Sequence, residues 1–326
     1  MRRTGKIKRK AVDFFMDLKG AKYFEGIKRK NPVHINFVLH VENVASVMAF
    51  NALYDFCSEF LKLTGVRTTS CAVTPYSYNG KSVRALGISD EIFAERLKRL
   101  SEVSDIGYHG HFFKNILSEE DYEKMLGAFK NEARLEKKRI MANGAFPMGW
   151  ANYDACAARA QIEKELGWLK GSGFSPTVYV GGCWFLSEEI LLRLEEQGIK
   201  IDCSLRKSHT DVFGRRYLED DDYAPRGVPF IIPPAKGIVE IQSIFYPTEH
   251  PVFAMEHFSN LVTYEPSKKL FVVFPAHEYE LKEFASNIWR NIKIISQSHL
   301  FTWASLEDMR KIIVEEKLCE SMKGHS

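Results

Sequence analysis

Apolar residues in this chain alternate between short, nearly continuous blocks and longer stretches with helical spacing. The block "PVHINFVLHV" (32–41) reads as a strand, and "VASVMAFNALYDFCSEFLKLTG" (44–65) as an amphipathic helix stopped by a glycine cap. "VRTTSCAVTP" (66–75) is a second strand, ended by Pro75, and "SDEIFAERLKRLSEV" (89–103) a helix opening at Ser89. "DIGYH" (105–109) is a third strand, followed by a long helix over 118–144. "GAFPMGW" (144–150) is a weaker strand signal because Pro147 cannot donate to a ladder. A helix over 153–173 leads into "PTVYVGG", then the helix "SEEILLRLEEQG" and the strand "IKIDCSL". "GIVEIQSIFY" (237–246) and "KLFVVFPAHE" (269–278) complete the strands, and amphipathic helices close the chain.

Strands alternating with helices imply parallel strands joined by helical crossovers. Seven or eight of them in about 250 residues suit a (β/α) barrel better than an open sheet. Neither GxGxxG nor GxxxxGK[ST] is present to favour a nucleotide-binding sheet. Residues 31–326 therefore read as a single barrel that includes the C-terminal helices, and residues 1–30 as a basic helical extension.

Composition narrows the class. The 326 residues are 45% hydrophobic and 27% charged, ordinary values for a globular protein. With 45 Lys and Arg against 42 Asp and Glu, the net charge of +3 demands no nucleic-acid or membrane partner. "MRRTGKIKRK" concentrates six basic residues in the first ten, which suits a solvated terminus. No apolar run reaches the length of a membrane span, and charges interrupt any signal-peptide core, so the chain reads as cytoplasmic. Six cysteines form no CxxC, and their apolar settings suggest free, buried thiols.

In a barrel of this kind chemistry lies at the C-terminal ends of the strands. The first strand ends in His40 and Glu42, the third in His109 and His111, and the last in His277 and Glu278. Four of the ten histidines fall there. His40 and Glu42, two apart on a strand, leave the same face. His109 and His111 do the same unless the chain turns at Gly110, in which case they diverge. A carboxylate with two imidazoles is a common open site for a divalent ion, which polarises a carbonyl and activates water for amide or ester hydrolysis. His277 suits protonation of a leaving amine. The alternative is that these histidines bond loop backbone, with Glu42 at a helix N-terminus. Cys183 is a weaker candidate nucleophile, "RRYLEDDDY" (215–223) a weak cation attractor, and no GxSxG marks a serine hydrolase. The aromatics Tyr108, Phe112, Phe113, Trp150, Trp184 and Tyr279 cluster near strand ends, where they could floor a sugar site or serve the core.

"FVLHVEN", "DIGYHGHFF", "VYVGGCWFLSEEILLRLEEQGIKIDCSL", "GIVEIQS" and "FVVFPAHEYE" follow one another much as the blocks of polysaccharide deacetylases, the NodB-homology superfamily, do. The resemblance spans roughly residues 33–280. It implies a seven-stranded (β/α) barrel using a divalent metal, zinc above all, to remove N-acyl groups from amino sugars. On that pattern Glu42, His109 and His111 are the metal candidates, with His40 as an alternative ligand. His40 and His277 are the catalytic candidates, and Trp150, Trp184 and Tyr279 line the substrate. The chain departs from the family where it matters. His40 stands where the family carries its first carboxylate, Phe113 where it carries its second histidine, and Val180 where it carries an arginine. A catalytically silent barrel that binds a glycan or nucleotide-sugar stays open beside the hydrolase.

Overall fold

The computed structural model describes residues 24–44, 46–77, 88–111, 155–184, 186, 188–204, 227–232, 234–244 and 247–321. The helix expected over 118–144, the strand over 144–150, Phe112, Phe113, Trp150, the loop at 215–223 and residues 1–23 of the basic extension lie outside them, as does the side chain of Cys183. Residues 24–30, expected to be helical, begin with a turn instead, and Phe24 packs edge-on against Phe301 in the core.

Strand β1 (Val33–Val41) is buried along nearly its whole length, as its apolar run requires of a central parallel strand. It pairs in parallel with β2 (Thr68–Ala72) on one side and β8 (Leu270–His277) on the other. From β2 the sheet continues through β3 (Ser104–Gly110), β4 (Val178–Gly181), β5 (Ile201–Asp202) and β7 (Val239–Glu240), all parallel. A lone bridge, Ser243 to Val273, returns the β7 segment to β8 and closes a ring of seven strands. The closure is brief for a covalent reason. Phe271 and Val273 donate their N–H groups to Gly227 and Gln242 across the gap, while the next residue of that parity, Pro275, has none to give. Among the described residues three further strands lie outside the ring. They are β6 (Phe230–Ile231), antiparallel to β7, β9 (Phe301–Trp303), parallel to the start of β1, and β10 (Glu320–Ser321) beside β6. The strand expected over 237–246 is much shorter than its apolar run.

The described helices are α1 (Val47–Thr64), α2 (Asp90–Leu100), α3 (Ala155–Gly171), α4 (Glu188–Glu196), α5 (Pro251–Thr263), α6 (Glu278–Glu283), α7 (Ala285–Ser296) and α8 (Leu306–Glu315). Helix α1 shows how the sequence sets its own limits. Ser46 Oγ accepts from Ala49 N at the start, and Gly65 at φ 72° donates to Leu61 O at the end. Its buried Phe56 and Phe60 meet Phe37 of β1 edge-on at 5.7 and 5.5 Å.

Alternation along β1 separates two cores. Val33, Ile35, Phe37, Leu39 and Val41 face the helices, whereas Val38 faces inward with Val180, Ile201, Val239 and Val273. Leu306, Met309 and Ile313 of α8 join that inner cluster. Asn36, two residues before Val38, bonds Ala304 just ahead of α8, so this helix fills the end of the barrel opposite His40. Among the described residues no helix is long and apolar enough to cross a membrane.

Candidate metal centre

Inward parity carries β1 from Asn36 and Val38 to His40 and then to Glu42, one residue beyond the strand. His40 and His277 are register partners on β1 and β8, and His109 is the penultimate residue of β3. All three therefore reach the same barrel mouth. The His40 ring lies 4.9 Å from that of His109 and 4.8 Å from that of His277.

Gly110 stays within β3 and pairs with Gly181, so the chain does not turn away between the two histidines. Their rings converge, with His109 Nε2 and His111 Nε2 3.0 Å apart. Glu42 Oε1 stands 3.4 Å from the first and 3.3 Å from the second. Glu42 is not a helix-terminus residue. Helix α1 begins four residues later at its Ser46 cap, and Glu42 keeps only about a quarter of its side chain exposed. Its backbone N–H donates to Glu278 Oε2 at 3.1 Å, and Asn43 Nδ2 donates to Glu278 Oε1 at 2.7 Å. The buried Glu278 thus ties the loop after β1 to the end of β8.

The tautomer of His109 follows from its surroundings. Nδ1 lies 2.9 Å from Val180 O, and a carbonyl can only accept, so Nδ1 carries the proton and donates. The Nε2 lone pair of the neutral ring then faces a carboxylate oxygen and a second imidazole nitrogen. Three potential ligand atoms thus meet in a buried mouth, an arrangement that suits a divalent cation. Burial, and then the neighbouring His111, lower the His109 pKa, which favours the neutral ring. Burial opposes ionisation of Glu42, but the His109 and His111 imidazoles beside it prevail and hold its carboxyl well below the usual range. Glu42, His109 and His111 all place a ligand atom within 4.8 Å of one another. The donor set fits a divalent ion.

Around this group sit the remaining candidates. His40 is only 2% exposed, and its Nε2 has no hydrogen-bond partner among the described residues. Burial, with His277 and His109 adding to it, pushes its pKa well down, so the ring is neutral. His277 accepts no such fate: burial works against its charge, yet Glu280, Glu42 and Glu278 raise its pKa. Its Nδ1 lies 3.4 Å from Glu280 Oε2, which also accepts the His277 backbone N–H at 2.8 Å. Trp184 lies 4.7 Å from His40, on a backbone with φ of 62°, a costly conformation for a tryptophan. Tyr279 stacks on His277 at 4.8 Å and is 48% exposed. The structure thus brings seven of the eight residues singled out by sequence to one mouth; Trp150 lies outside the described residues.

Sequence reading missed the parts that have no distinctive side chain. Val180 contributes only its carbonyl. Gly182 has its Cα against His111: a Cβ built there would fall 2.4 Å from Nδ1 and 2.6 Å from Cγ and Cε1 of that ring. Glu278 was visible beside His277 but gave no sign that it would brace the loop carrying Glu42.

No protein-family model matches the chain, and no curated protein matches it by sequence. Solved structures do. A protein described as a polysaccharide deacetylase from Mycobacterium smegmatis superposes with a TM-score of 0.52 at 12% identity, over 92% of this chain and 99% of that one. The 4-alpha-glucanotransferase of Thermococcus litoralis gives 0.50 at 13% identity, over 85% of this chain and 40% of its own. A protein from Pseudomonas aeruginosa described as a polysaccharide deacetylase gives 0.48 at 14%, over 88% and 93%. The fold is that of the polysaccharide deacetylase type of (β/α) barrel, and the likeness read from the ordered sequence blocks holds at that level.

Proposed function

We propose that the protein is a metal-dependent hydrolase that removes an N-acyl group, acetyl or formyl, from an amino sugar in bacterial surface-glycan metabolism. One observation carries this reading: the bare Nε2 of His109, the Nε2 of His111 and a carboxylate oxygen of Glu42 converge within 3.4 Å at the mouth of a deacetylase-type barrel. Glu42, His109 and His111 would hold a divalent ion, zinc by the preference of imidazole and carboxylate ligands for it. Such an ion supplies Lewis acidity, polarising the acyl carbonyl and acidifying water.

The chain's own residues then account for the protons. His40 Nε2, buried and without a hydrogen-bond partner, accepts a proton from the attacking water as its oxygen bonds to the acyl carbon. His277, whose protonated form Glu280 and the neighbouring carboxylates favour, delivers a proton to the sugar nitrogen as the C–N bond breaks. The products are a free amino sugar and the acid of the acyl group. Trp184 and Tyr279, and Trp150 in the stretch before α3, supply aromatic faces for the sugar ring. Residues 31–326 act as one catalytic barrel, with a cytoplasmic location in keeping with the five cysteines that are free among the described residues.

Purified protein should contain one divalent ion per chain and release acetate or formate from N-acyl amino sugars. Glu42→Ala and His109→Ala should lose both metal and turnover. A parent protein that binds no divalent metal, prepared with or without air, defeats the hydrolase reading. Val180 favours a second reading: buried and apolar where the family carries its arginine, it leaves no charge to orient a base. On that reading the barrel binds a glycan without turnover, and Glu42→Ala leaves glycan affinity unchanged.

A further inference from the structure

Both imidazoles of the candidate metal centre lean on one short piece of backbone, the tip of β4. Val180 O receives the His109 Nδ1 proton, and Gly182 backs the His111 ring. Between them, Gly181 pairs with Gly110, the residue that separates the two histidines. Whatever holds residues 180–182 in place therefore sets both rings at once.

The ladder beside this tip is short. Strand β5 ends at Asp202, while β4 reaches Gly181. The Gly181 N–H does not end on a ladder carbonyl. It donates to a side-chain oxygen, Ser204 Oγ, at 2.8 Å. Ser204 is fixed in turn by a single carboxylate oxygen. Its N–H donates to Asp202 Oδ1 at 2.9 Å and its hydroxyl donates to the same atom at 2.5 Å. The hydroxyl thus donates to Asp202 and accepts from Gly181. Asp202 and Ser204 are both fully buried, and no sugar or metal at the mouth needs to touch either of them.

We propose that the Asp202–Ser204 pair is a positioning device for the His109–His111 couple, acting through the backbone of Val180, Gly181 and Gly182. It deepens the metal-dependent reading and rests on it. Removing the hydroxyl frees the Gly181 N–H, lets the tip of β4 shift, and loosens the carbonyl that selects the His109 tautomer. A partner of this indirect kind is worth about 10- to 100-fold in metal affinity.

The test compares Ser204→Ala and Ser204→Thr with the parent, full-length and folded by circular dichroism. Three quantities are measured: zinc affinity by competition with a chelating dye, the visible spectrum of the cobalt(II)-loaded protein, and the imidazole ¹⁵N shifts of His109 in metal-free protein. Ser204→Ala should bind zinc about 10- to 100-fold more weakly, show an altered cobalt spectrum, and show His109 as a mixture of tautomers. Ser204→Thr, which keeps the hydroxyl, should match the parent in all three. Gly182→Ala should weaken zinc binding by displacing His111 and leave the His109 tautomer as it was. If Ser204→Ala does not fold, Ser204→Cys, close in volume but a weak hydrogen-bonding group, carries the same expectation. Parent-like zinc affinity, spectrum and tautomer in a folded Ser204→Ala protein overturn the proposal. The metal reading fails separately, if Glu42→Ala binds zinc as the parent does, and the metal-free His109 shifts then still decide whether Ser204 positions that ring.

Discussion

His277 is the residue whose role separates most cleanly from that of its neighbours. It lies at the mouth with His40 and Glu42, yet its ring nitrogens belong to none of the converging ligand atoms, and Glu280 engages its Nδ1. A proton donor acts in the transition state and not in holding an ion. His277→Ala should therefore lower kcat by about 10²- to 10⁴-fold with metal content unchanged. Metal analysis and steady-state kinetics on the same preparation check this, and loss of metal in parallel with kcat would move His277 among the ligands. The side chains of this site were legible in sequence because histidines and carboxylates at strand ends are conspicuous there. Their choice of partner was not. His40, two residues from Glu42, is an alternative ligand to His111 in sequence; in the fold the His111 ring meets His109 and Glu42, and the His40 ring packs against Trp184.

Helix α3 offers a test of how a crossover helix is held to the sheet. Its Glu165 is fully buried, beside Gln161 of the same helix and the Tyr108 and Thr74 side chains of the sheet layer. Burial pushes its carboxyl from 4.5 up to about 8, against the smaller opposing effects of Gln161, Thr74 and Tyr108. The group is thus protonated in the folded protein at pH 7 and ionised in the unfolded chain. Below about pH 4.5 both states hold the proton; from there up to about 8 unfolding releases it, and stability falls as the pH rises. Glu165→Gln mimics the protonated carboxyl and should remove that slope, gaining on the order of a few kcal/mol at pH 8 over the parent. Urea unfolding at pH 5 and pH 8 reads the difference; equal slopes in parent and variant would place the carboxylate in water. At this scale the apolar runs marked β1, β8 and α1 well, since a buried central strand and a capped amphipathic helix each write their period into the sequence. The run at 237–246 misled, because being apolar says that a segment is buried and not that a neighbour extends far enough to pair with it.

Across the whole molecule the candidate metal centre joins elements distant in sequence: Glu42 follows β1 and the two histidines flank Gly110 at the end of β3, with β2 between those strands. An ion bound there stabilises only the folded chain, by about 2.7 kcal/mol at a free concentration one hundred times its Kd. Zinc should accordingly raise Tm by roughly 5 °C in the parent and not in Glu42→Ala, a difference that scanning calorimetry resolves. An equal rise in both would put the ion elsewhere. From the sequence alone came the alternation of strand and helix, the barrel that follows from it, and the kinds of side chain at its mouth. These are properties of local period and of the rule that chemistry gathers at the C-terminal ends of parallel strands. Tertiary structure alone decided that Gly110 keeps His109 and His111 on one face, that Val180 O selects a tautomer, that Gly182 leaves room for a ring, and that Ser204 ends a ladder that β5 is too short to continue. Each of those is a backbone distance between strands, set by register and closure, and no residue type announces it.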